Sequence, residues 1–71
     1  MTDLQKAEQI KDEIRDCTTV DEVDAVAMQY GQQVKEWHEG QNPDLRIAAI
    51  HIRNLASWTR DGIRAKRKAS T

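Results

Sequence analysis

The sequence predicts an all-α fold, an antiparallel three-helix domain, and three observations predict it. Apolar residues recur at helical spacing in three separate stretches. Two of those stretches open on a Thr-x-x-Gln or Thr-x-x-Glu box. The one strong break, "GQNPD" at residues 40–44, contains a proline, Pro43, that suits the start of a helix and not its interior. No strand signal, internal repeat or low-complexity segment competes with this reading.

The first helix is expected over about residues 3–16. Thr2 and Gln5 stand three apart, so the threonine hydroxyl can accept from an orphan backbone N–H while the glutamine reaches back. Leu4, Ala7, Ile10, Ile14 and Cys17 then follow at helical spacing. "CTT" ends the segment. Thr19 and Glu22 make the second box, and the second helix is expected over 20–39. Its Val20, Val23, Val26, Ala27, Tyr30, Val34 and Trp37 fall within about one third of the helical circle. Gly40 holds the place of a C-terminal glycine. Gly31 lies at the edge of the apolar face, where glycine either permits close helix approach or is carried at a cost near 1 kcal/mol.

Asn42 can cap a third helix, with Pro43 in its first position and Asp44 in its first turn. Nothing stops it before the basic end of the chain. It is expected over 43–66, about 25 residues or roughly 37 Å, with Gly62 weakening its last turns and residues 67–71 a frayed basic tail. The connections are short, so neighbouring helices should run antiparallel.

Seventy-one residues allow one small domain, which buries only about 60% of its unfolded surface and so has a marginal core. Hydrophobic residues at 38% beside charged residues at 32% exclude the one-sign, apolar-poor composition of a disordered chain. No apolar run approaches the roughly 18 residues of a membrane span, and the N-terminus has neither a basic nor an apolar signal-peptide segment. Cys17 is the only cysteine, which fits a reducing cytoplasm. The net charge of −1 hides a split. Residues 1–42 carry ten acids against four bases, and residues 43–71 carry seven bases against Asp44 and Asp61, giving −6 and +5. Such a split either marks a basic surface for nucleic acid or reflects acidic and basic helices packed side by side.

The third helix raises the functional question. With Leu45 set at zero and about 100° per residue, Leu45, Ala48, Ala49, Ile52, Leu55, Ala56, Thr59 and Ile63 share one face, which is the expected core face. Ile50 falls near 140°, and Ile47 and Trp58 near 200–220°, with His51 and Asn54 among them, on roughly the opposite side. A domain this small has little mass to cover both faces. Either the first helix shelters the second stripe, or the stripe contacts a second copy or a different protein. The candidate partner-binding set is Ile47, Ile50, His51, Asn54 and Trp58, with Arg46, Arg53 and Arg60 alongside. Tryptophan and arginine are the residue types enriched at interface hot spots.

Arg46, Arg53, Arg60 and Arg67 stand seven apart, and Arg64 joins their ridge. The ridge can pair with Asp12, Asp16, Glu22 or Glu36 of the other helices, or meet an acidic partner. The alternative set for nucleic acid is Arg53, Arg60, Arg64, Lys66, Arg67 and Lys68. Against it stand the slightly acidic net charge and the lack of helix-turn-helix spacing, zinc-knuckle spacing or an aromatic stacking platform.

Catalysis is not expected. His38 and His51 lie on different helices and match no His-Glu-x-x-His arrangement, so no metal site is assigned. Cys17 continues an apolar stripe, as a small buried hydrophobe does. The three glycines are far apart and form no phosphate loop, and no cofactor is assigned.

The run "IKDEIRDCTTVDEVDAVAMQYGQQVKEW" followed by "NPDL" joins a short helix, a Thr-x-x-Glu restart and a long final helix. In this it resembles small all-helical proteins of tailed phages and prophages. The resemblance covers most of the chain but rests on caps and spacings, so it carries over no site residue. It implies a protein that binds and inhibits or redirects a host protein, or a dimeric accessory factor.

Overall fold

A computed structural model describes residues 2–69 of the chain, with the backbone alone at Lys68 and Ala69. It is all-helical: α1 spans Asp3–Arg15, α2 Val20–Glu39 and α3 Pro43–Ala69. Both threonine boxes close reciprocally. Thr2 Oγ1 accepts from the Gln5 N–H at 3.1 Å while Gln5 Oε1 accepts from the Thr2 N–H at 2.9 Å. Thr19 Oγ1 likewise accepts from the Glu22 N–H at 3.1 Å, and Glu22 returns the bond to the Thr19 N–H. Thr18, unassigned from sequence, strengthens this second cap by donating its hydroxyl to Glu22 Oε1 at 2.7 Å. Asn42 caps α3, its Oδ1 accepting from the Asp44 N–H at 3.0 Å.

The pairings fix the directions. Tyr30 donates to Glu13 across the α1–α2 turn, and Arg60 donates to Asp24 across the α2–α3 turn, so each helix runs back along its predecessor. The core centres on α3, which packs against both other helices, while α1 and α2 touch each other less. One cluster unites the three, with Ile10, Ile14 and Val23 fully buried beside Trp37, Ala49 and Ile52. Each large apolar side chain so sheltered contributes about 1.5–3 kcal/mol. The alanines at 48, 49 and 56 give α3 a low surface on which the neighbouring helices can lie close.

Several sequence expectations need correction. Leu4 is not in the core; it lies in the first turn of α1, on a face shared with Gln5, Glu8 and Asp12, and is about half exposed. Cys17 is only half buried, with its thiol donating to the Glu13 carbonyl. Gly40 caps α2 in an extended conformation, φ −76 and ψ 178, and not in the left-handed one. A Cβ at Gly40 would stand 3.1 Å from the Glu36 carbonyl oxygen, so crowding is what favours glycine there. α3 continues unbroken past Gly62 and includes Arg67–Ala69, so the helix is longer and the tail shorter than expected. A lone glycine lowers helix propensity by about 1 kcal/mol, too little to end a helix held by packing on either side. The result is a slender body, 46 × 18 × 16 Å, with much of each helix facing outward.

Candidate interaction surface on the third helix

The stripe opposite the core face of α3 is not sheltered by α1. Ile47 is 51% exposed, Ile50 43% and Trp58 66%, and His51 and Asn54 beside them are exposed as well. α1 packs on a flank of α3 instead. His51 lies near α1, among the groups around the Glu8 carboxyl, whose pKa is lowered chiefly by the hydrogen bond from Lys11. Ile47 to Trp58 is eleven helical steps, about 16 Å, or three turns. An apolar surface of that length matches the contact face of a short partner helix, read at every third and fourth residue.

The arginine ridge is not uniform. Arg60 reaches α2, with its Nη2 2.8 Å from Asp24 Oδ1, and Arg64 faces Asp61 of its own helix at 3.9 Å. The acids expected to answer the ridge do not: Asp12 pairs with Arg15, Glu22 is held in its cap, and Glu36 accepts from Gln32. The reason is geometric. Asp12 and Glu22 have partners within a turn, whereas Asp24 stands on the edge of α2 nearest α3. Arg46 and Arg53 are exposed and make no ion pair among the described residues. Lys66 and Arg67 line a cleft with Cys17, Thr18, Thr19 and Asp21, where α3 passes the α1–α2 turn. The side chain of Lys68 lies outside the described residues.

Two polar features escaped the sequence reading. Tyr30 donates its phenol to Glu13 Oε2 at 2.6 Å, and Lys6 sits 4.9 Å over the same ring. The Glu13 hydrogen bond, followed by burial, raises the Tyr30 pKa. No spacing rule links Tyr30 of α2 to Lys6 and Glu13 of α1, so only the fold brings them together. Burial pushes the Cys17 thiol up as well, away from the reactive thiolate. Among the described residues no group of histidines, cysteines and carboxylates could hold a metal ion, and no helix is long and apolar enough to cross a membrane.

No protein-family model matches the chain, and no curated protein or solved structure matches it significantly.

Proposed function

We propose that this chain works by stoichiometric binding of a protein partner through the outward face of α3. Ile47, Ile50 and Trp58 are the apolar anchors, His51 and Asn54 supply hydrogen bonds between them, and Arg46, Arg53 and Arg60 set orientation along one edge. The observation that carries the reading is the exposure of those three large apolar side chains along one three-turn strip. Each keeps roughly half of its surface in water, so a partner that covered it would recover part of the about 1.5–3 kcal/mol that full burial gives. The arginines favour a partner with acidic groups flanking its apolar contact. Following the resemblance to small phage proteins, the concrete form of the proposal is inhibition or redirection of a bacterial host protein in the cytoplasm.

The test is affinity capture from a bacterial lysate with the native chain, Trp58→Ala, Arg53→Glu and, as a far-side control, Met28→Ala. A host protein held by the native chain and by the Met28 variant, and lost with both of the others, is the expected result. Equal capture by all four chains would remove the α3 surface from the account. Nucleic-acid binding through the ridge is the competing reading. It is less favoured because Asp24 and Asp61 already stand against two of its arginines.

A further inference from the structure

We draw no further inference here: the strongest candidate, the groove between α2 and α3 lined by Ala27, Gly31, Arg53 and Ala56, is an unpartnered face of mostly small side chains, and nothing in the structure shows what covers it.

Discussion

Arg60 of α3 and Asp24 of α2, 36 positions apart in sequence, are joined by a hydrogen bond and an ion pair: Nε donates to Asp24 Oδ1 at 2.8 Å, and Nη2 lies 2.8 Å from the same oxygen. The pair spans the open side of the α2–α3 hairpin. It shows how far along each other the two helices lie, and it holds one arginine of the ridge against α2.

Breaking that pair should cost little. The Arg60 side chain is 27% exposed and that of Asp24 55%, so water screens the attraction and solvates either group left alone. Asp24→Ala should lower unfolding free energy by no more than about 1 kcal/mol, and less in high salt. A double-mutant cycle with Arg60→Ala in urea measures the coupling. A coupling several times larger would mean that the pair orders the hairpin.

The two tryptophans should behave as opposites. Trp37 is 5% exposed and packs in the core, whereas Trp58 is 66% exposed. Trp37→Ala should cost about 3–5 kcal/mol, on the scale of the entire stability of a small domain, and leave the chain largely unfolded. Trp58→Ala should stay within about 0.5 kcal/mol of the native chain in denaturant titration. Only the second variant can separate binding from folding, which is why it anchors the capture experiment.

That contrast also shows how far the sequence is legible. Helix positions and the α3 core face followed from caps and a period of 3.6, because both are local properties of the chain. The exposed strip was legible only as a question: whether α1 covers Ile47, Ile50 and Trp58 depends on which flank of α3 it chooses. The partner of Arg60 was misread for the same reason. Asp12, Asp16, Glu22 and Glu36 are all acids on neighbouring helices, but the choice of Asp24 depends on axial register. Glu13 with Tyr30 and the role of Thr18 were missed, the first because it is tertiary and the second because a box rule counts only one threonine.

The α2 cap should make stability fall at acid pH. Glu22 accepts from Thr18 and Thr19, and the Thr18 hydroxyl is the chief cause holding its pKa below the usual value of 4.5. A carboxyl with a lowered folded pKa stabilises fully above the unfolded value, and that contribution is lost as pH falls through the folded one. Melts between pH 7 and 3 should therefore show a decline below about pH 4.5 that is shallower in Glu22→Ala. At neutral pH Thr19→Ala should cost about 1 kcal/mol for the lost cap.

Tyr30→Phe keeps the ring, and with it the packing and the Lys6 contact, while deleting the 2.6 Å bond to Glu13. The expected loss is about 1 kcal/mol, since Glu13 is half buried and can regain water. The bond also raises the tyrosine pKa from 10.0, so the native chain should lose stability as pH rises above that value, where the unfolded phenol ionises first. The phenylalanine variant should lack that alkaline component. Equal slopes for the two chains in chemical denaturation above pH 10 would show that the bond does not form in solution.

Nucleic-acid binding is the reading most easily separated by salt. Were all five ridge arginines to displace counterions from duplex DNA, log K would fall against log salt with a slope near −4.5. The structure leaves Arg46 and Arg53 without a partner among the described residues, while Arg60 is held by Asp24 and Arg64 faces Asp61. Arg46, Arg53 and Arg67, the ridge arginines outside those two pairs, give a slope no steeper than about −3 and an affinity too weak to survive near-physiological salt. Gel shifts with a random duplex across a salt series should show at most a faint complex at the lowest concentration. Asp24→Ala, which frees Arg60, should then strengthen it slightly. A steep slope in the native chain would mean that phosphates displace Asp24 and Asp61 from the ridge, and the protein-partner reading would have to give way to it.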